Sequence, residues 1–301
     1  MTTEQLNTQY GITGQLQFVE GHGGFSNIEI NNGKAKALIS VYGGQILSYQ
    51  PTNQAEDLLF LSDKAYYQPG KAIKGGAPIC WPWFGPDPEG LGRASHGFVR
   101  NRLWTVMETR TAENGDSIVV LGVVNTPEIE EIWPQSFKAT ITFTVGDTLT
   151  IDLITENTGE QAFSISQALH TYFKVGDINQ VQVTGLEGCD YLDKVDGGQQ
   201  KSQAGAVTFS EECDRIYVNP AAKLVITDLG FNRKIHIDAK GSKTAVVWNP
   251  WAEIAAGMAD LGDTDYQRFL CVETANAAAD IIEVLPGQSF QLQAQYTIER
   301  S

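Results

Sequence analysis

Ala139-Thr-Ile-Thr-Phe-Thr144, then Val145-Gly-Asp-Thr148, then Leu149-Thr-Ile-Asp-Leu-Ile-Thr155 reads as two alternating strands joined by a tight turn. Successive side chains on a strand point to opposite faces, so alternation of this kind buries one face and wets the other. Gly-Asp between two such runs is a hairpin signal. The same reading fits Asn31-Asn-Gly33 between residues 28–30 and 35–40. It also fits Leu285-Pro-Gly-Gln288, which turns residues 281–284 back into a strand with Phe290, Leu292, Ala294, Tyr296 and Ile298 on its apolar face. Few stretches carry a 3.6-residue apolar period, and short helices are expected only at residues 62–66 and 251–261. The fold class is therefore all-β. No linker, low-complexity tract or fixed-period repeat divides the chain, so residues 1–301 are expected to form one domain, with 1–29 as an N-terminal segment.

The chain has 301 residues, 42% hydrophobic and 19% charged, enough apolar side chain for a large core. Its net charge of −15 argues against nucleic acid or an anionic membrane as a partner, since both need a basic footprint. No apolar run approaches the ~18 residues of a membrane span, and the first residues carry no secretory pattern. Cys80, Cys189, Cys213 and Cys271 have no metal-ligand spacing, so reduced thiols and a cytoplasmic location are expected.

Gly75-Gly-Ala-Pro-Ile-Cys-Trp-Pro-Trp-Phe-Gly-Pro86 is followed ten residues later by His96-Gly-Phe-Val-Arg100. Glycine admits close backbone approach, proline fixes turns, and aromatic faces can lie against a sugar, so this composition suits a rigid ligand wall. Trp81, Phe84 and Trp248 serve equally well as ligand platforms or as core. Across residues 71–102 the sign of the chain inverts: Lys71, Lys74, Arg93, Arg100 and Arg102 stand against Asp87 and Glu89. A local anion site is the reading favoured over a solvated cationic face. If residues 96–102 form a regular strand, His96, Phe98, Arg100 and Arg102 share a face, and His96 and Arg100 lie roughly 13 Å apart.

In Phe163-Ser-Ile-Ser-Gln-Ala-Leu-His170-Thr-Tyr-Phe173, alternation places Ser166, Ala168, His170 and Tyr172 on one face and Ile165, Leu169 and Phe173 on the other. His170 therefore points to the small and polar side. Glu273 ends the apolar run Phe269-Leu-Cys-Val272, where a carboxylate costs desolvation unless something uses or pairs it.

Gly75 to Pro82, His96 to Arg100, Leu169-His-Thr-Tyr-Phe173, Asp214-Arg-Ile-Tyr217, Val247-Trp-Asn-Pro250 and Cys271-Val-Glu-Thr274 occur in the order and approximate spacing of one family. From about residue 30 onward the chain resembles the hexose-6-phosphate mutarotases, a branch of the aldose 1-epimerases. The resemblance implies a large antiparallel β-sandwich with a ligand groove on the concave face of one sheet. It implies that Glu273 is the general base and His170 the general acid of aldose ring opening, a reaction needing no metal or other cofactor. Asp214, an ordinary turn aspartate on its own reading, becomes by resemblance a carboxylate that receives sugar hydroxyls. Lys74, His96, Arg100 and Trp248 complete the expected substrate site, with Lys74 and Arg100 on a 6-phosphate. Lys74 stands where relatives commonly have arginine, and lysine lacks the bidentate fork. The expected ligand is a small sugar phosphate and the expected state a monomer. Two alternatives stay open: the same chemistry on free hexoses, and a sugar-phosphate-binding protein without activity.

Overall fold

The computed structural model describes residues 1–300. The alternating run at the centre of the chain forms strands Phe137–Val145 and Leu149–Asn157, which alternate between buried and half-exposed positions and pair in the expected hairpin register. They belong to a nine-stranded sheet. Its order is Val207–Thr208, Val181–Thr184, Lys223–Asp228, Arg233–Lys240, Ser289–Arg300, Leu149–Asn157, Phe137–Val145, Ser117–Val124, Thr105–Thr111.

An eight-stranded sheet packs against it. Its path runs Gln199–Ser202, Asp190–Asp193, Cys213–Val218, Thr244–Asn249, Phe269–Asn276, Gln167–Leu169, Ile79–Cys80, and Tyr172–Lys174 also pairs with Phe269–Asn276. Among the described residues every ladder between these strands is antiparallel. One core cluster joins the inner faces, with Ile141, Phe143, Leu153, Ile237, Leu292 and Tyr296 from the first sheet and Ile79, Leu169, Phe173, Tyr217, Val247 and Val272 from the second. This is a large antiparallel β-sandwich.

Strands Leu16–Glu20, Ser26–Asn31, Ala35–Ser40 and Gln45–Pro51 form a further four-stranded sheet. The Asn31-Asn-Gly33 turn lies where the sequence puts it. Asn32 Nδ2 donates to Ser117 Oγ at 3.1 Å and to the Val145 carbonyl at 2.8 Å, tying this sheet to the central hairpin. The segment at 1–29 contributes two of these strands as well as helix Thr3–Tyr10, whose start is closed by a capping box of Thr2 and Gln5.

The expected helix at 62–66 is instead a turn. Ser62 Oγ accepts from Lys64 N–H at 3.1 Å, the local side-chain bond by which serine competes with helix. The expected helix at 251–261 is confined to Trp251–Ala256, since Gly257 closes it with a turn. The Leu285–Gln288 turn is present, but the strands it joins diverge: Ile282–Val284 pairs with Phe163–Ile165 and Ser289–Arg300 enters the nine-stranded sheet. All four cysteines are free. No helix among the described residues is long and apolar enough to cross a membrane.

Candidate active site

Strand Phe269–Asn276 is buried at every position, although it lies in an antiparallel sheet. One face, with Leu270 and Val272, enters the sandwich core, and the other, with Cys271 and Ala275, meets separate apolar clusters on the outer side of the sheet. Glu273 lies on that outer side. It is mid-strand, opposite Val246, and does not end the strand as the sequence suggests. A pocket of about 320 Å³ opens there, and its lining includes Lys74, Phe84, His96, Arg100, His170, Lys194, Asp214, Trp248 and Glu273.

The two faces expected around His170 are both realised. Ile165, Leu169 and Phe173 enter the core, while Ala168, His170 and Tyr172 face outward, although the chain is interrupted between Gln167–Leu169 and Tyr172–Lys174. The His170 backbone N–H donates to the Pro78 carbonyl at 3.0 Å. Its ring stacks on Tyr172 with centroids 4.9 Å apart and meets Trp248 and His96 edge-on, each at 5.8 Å. Three rings thus fix the imidazole plane and hold water away from it.

His170 Nε2 lies 3.4 Å from Glu273 Oε1. Burial pushes the imidazole well below its usual range, assisted by His96, Arg100 and Lys74. Burial likewise pushes Glu273 well above the carboxylate range; Asp214 reinforces the rise and Arg100 opposes it. Both shifts disfavour charge, so the pair holds one transferable proton between a carboxyl and an imidazole. His170 Nδ1 and Glu273 Oε2 are buried and receive no hydrogen bond from the protein. The fold thus leaves two buried polar atoms unpaired at this site.

His96 and Arg100 both reach this pocket, but not along a strand. His96 and Gly97 have φ of 64° and 72°, and Val99–Asn101 is a 3₁₀ turn. Two consecutive residues in the left-handed region cannot continue a strand, so the expected spacing of roughly 13 Å does not apply. A Cβ on Gly97 would sit 1.8 Å from the Trp81 carbonyl oxygen, so only glycine lets the turn close. His96 N–H donates to the Gly85 carbonyl at 2.7 Å, and Gly85 N–H donates to His96 Nδ1 at 3.3 Å. Nδ1 therefore carries no proton, and Nε2 is the donor of the neutral ring. Burial, with Arg100 and Lys74, lowers its pKa to about 3 and keeps it neutral.

Asp214 is the second residue of Cys213–Val218, a strand position and not a turn. Burial raises its carboxyl to about 6 against the opposing pull of Lys194. Of the five cations at 71–102, only Lys74 and Arg100 line the pocket. Arg93 is engaged by Asp87 and lies over the Trp83 ring at 4.4 Å, Arg102 lies over Phe98 at 5.6 Å, and Lys71 is near Tyr66 at 6.0 Å. Phe84 and Trp248 line the pocket as platforms. Trp81 is core, its Nε1 donating to Thr155 Oγ1 at 2.9 Å. Lys194 was not singled out by sequence. It reaches the rim because its N–H donates to the Asp214 carbonyl at 2.8 Å, a pairing no local pattern encodes.

A β-sandwich with a small polar pocket of this kind belongs to a class of carbohydrate epimerases, as its similarity to known proteins shows. The family model for aldose 1-epimerase matches residues 26–297, and the chain belongs to that family. A protein of Escherichia coli K12 provisionally named glucose-6-phosphate 1-epimerase is 38% identical over 252 residues, covering 83% of each chain. One of the same provisional name from Cenchrus ciliaris is 38% identical over 264 residues, 85% of this chain and 79% of that one. The crystal structure of a provisionally assigned mutarotase from Salmonella typhimurium superposes with a TM-score of 0.90 at 31% identity, covering 97% of this chain and 96% of that one.

Proposed function

We propose that the protein interconverts the α and β anomers of glucose 6-phosphate. The observation that carries this reading is that one pocket is lined by His170 and Glu273, 3.4 Å apart, together with the cations Lys74 and Arg100. A hexose 6-phosphate offers a hemiacetal to such a pair and an anion to such cations. The relatives named for this sugar phosphate support the choice of substrate.

In this reading the shared proton passes from Glu273 to His170 as substrate binds; Glu273, now carboxylate, removes the proton of the C1 hydroxyl while His170, now imidazolium, gives its proton to the ring oxygen. The C1–O5 bond breaks and the open aldehyde forms. Rotation about C1–C2 and reversal of both transfers give the other anomer and restore the pair. Each transfer contributes about 10²–10⁴ in rate, enough for a reaction that already proceeds unaided in water. Proton count is conserved over the cycle, since the pair lends one proton and recovers one. Asp214 receives ring hydroxyls, His96 Nε2–H donates to a ring or hydroxyl oxygen, and Trp248 with Phe84 packs against the sugar. Arg100 lies where it favours the ionised form of Glu273, which links phosphate recognition to the base.

Two-dimensional NMR exchange on equilibrated glucose 6-phosphate tests the reading. Exchange cross-peaks between α and β H1 should grow with protein concentration. Cross-peaks no stronger than in buffer would leave a binding protein.

A further inference from the structure

One of the two cations that line the pocket, Lys74, has an anion at its back. Lys74 Nζ lies 3.6 Å from Asp260 Oδ2, and both side chains are about four-fifths buried, at 19% and 20% exposure. Asp260 follows helix Trp251–Ala256, far from Lys74 in sequence, and the two are brought together by one buried residue. Ser62 N–H donates to the Lys74 carbonyl at 3.1 Å, and Ser62 Oγ donates to the Asp260 carbonyl at 2.8 Å. Ser62 is 3% exposed, and the neighbouring Leu261 is fully buried. Gly75, next to Lys74, has φ 111° and packs so closely on the Phe60 carbonyl that a Cβ would lie 2.5 Å from its oxygen. Both backbones are therefore pinned, and the ion pair is a built feature that reaches the pocket through Lys74.

We infer that Asp260 is a specificity-determining residue, an internal counter-anion that a sugar phosphate must outcompete for Lys74. The inference rests on the reading of Lys74 and Arg100 as the phosphate end. With Asp260 ionised, the formal charge of that end is +1 and not +2. A phosphate must draw Lys74 from this pair, which is longer than a hydrogen bond, and so binds less tightly than it would to an unpaired ammonium. A neutral sugar makes no such demand, so Asp260 narrows the margin by which the phosphorylated sugar is preferred. The cost is affinity, and the return is rapid release of product from a site that would otherwise hold any phosphate. A lysine serves this better than an arginine, whose fork would bind carboxylate and phosphate bidentately.

The test uses Asp260→Asn, which keeps shape and removes charge, with Asp260→Glu and the double variant Lys74→Met/Asp260→Asn. Dissociation constants for inorganic phosphate are measured by calorimetry, and kcat/KM is measured on glucose 6-phosphate and glucose. Asp260→Asn should tighten phosphate by about 3- to 10-fold and raise the preference for the phosphorylated sugar by a similar factor, the scale of one charge near an anion in a half-wet site. Asp260→Glu should stay near the parent, and the double variant should lose the gain. Unchanged or weaker phosphate binding in Asp260→Asn, or an equal gain in Asp260→Glu, would overturn the inference. A parent protein that binds no phosphate and shows no preference would instead overturn the phosphate reading itself.

Discussion

Asp214 and Trp248 stand directly opposite each other on neighbouring antiparallel strands, and both side chains face the pocket. The indole helps to dry the carboxyl, and burial is the main reason it titrates near 6. Below that pH Asp214 is protonated and accepts sugar hydroxyls poorly, so kcat/KM should fall on the acid side with a midpoint near 6. The limb assigned to Asp214 is the part of the profile that Asp214→Asn removes, since that variant leaves His170 and Glu273 in place. Free glucose is the substrate to use, since phosphate monoesters themselves titrate at about 6. Polarimetric rates between pH about 4.5 and 8, corrected for the spontaneous reaction, should give this limb in the parent and a flat, lower profile in Asp214→Asn.

Glu273→Gln should lose about 10²–10⁴ in kcat/KM and gain thermal stability. The folded pKa of Glu273 lies above its unfolded value, so the protonated form contributes stability that is complete below about 4.5 and lost as pH rises towards the folded value. Glutamine stays neutral throughout. Calorimetry should therefore find the variant melting higher than the parent at pH 8, by about 2–4 °C for each kcal/mol recovered, and little different at pH 4. A lower melting temperature at pH 8 would show that the carboxylate stabilises the fold.

Arg100→Ala removes a charged partner worth about 1.5–3 kcal/mol, so kcat/KM for glucose 6-phosphate should fall about 10- to 100-fold. Glucose should lose less, and only through the weaker field on Glu273. Parallel progress curves on the two sugars measure the difference. Equal losses would assign Arg100 to supporting the acid–base pair alone.

Gly97→Ala and Gly92→Ala separate two costs. Both positions have positive φ, 72° and 78°, but a Cβ at Gly92 meets nothing within 4 Å whereas one at Gly97 meets the Trp81 carbonyl. Gly92→Ala should cost about 1–2 kcal/mol by denaturant unfolding and leave the rate intact. Gly97→Ala should cost more and displace His96, lowering the rate of the folded fraction as well.

The hairpin at residues 137–157 was legible because its alternation and its turn are both local. His170 was legible for the same reason: the face it shares with Ala168 is a matter of two-residue spacing. Residues 96–102 were misread because alternation of aromatic and basic side chains says nothing about φ. His96 is a non-glycine residue held at 64° by reciprocal bonds with Gly85. Trp81 and Trp248 could not be told apart, since which side of a sheet is core is decided by the partner sheet. Lys194 and Asp260 carried no signal. One depends on register between separate strands, and the other on a bond from Ser62 across 198 residues.

His170 and Glu273 stand on or beside the strand Phe269–Asn276, both braced by the sheet, whereas Lys74 and Arg100 stand in irregular segments of the connection around residues 74–102. The two groups of pocket residues therefore rest on different supports. Lys74 and Arg100 themselves lie outside every strand, so a substitution at either leaves the ladders that carry His170 and Glu273 in register. What the pocket holds can then be altered without rebuilding what holds the pocket.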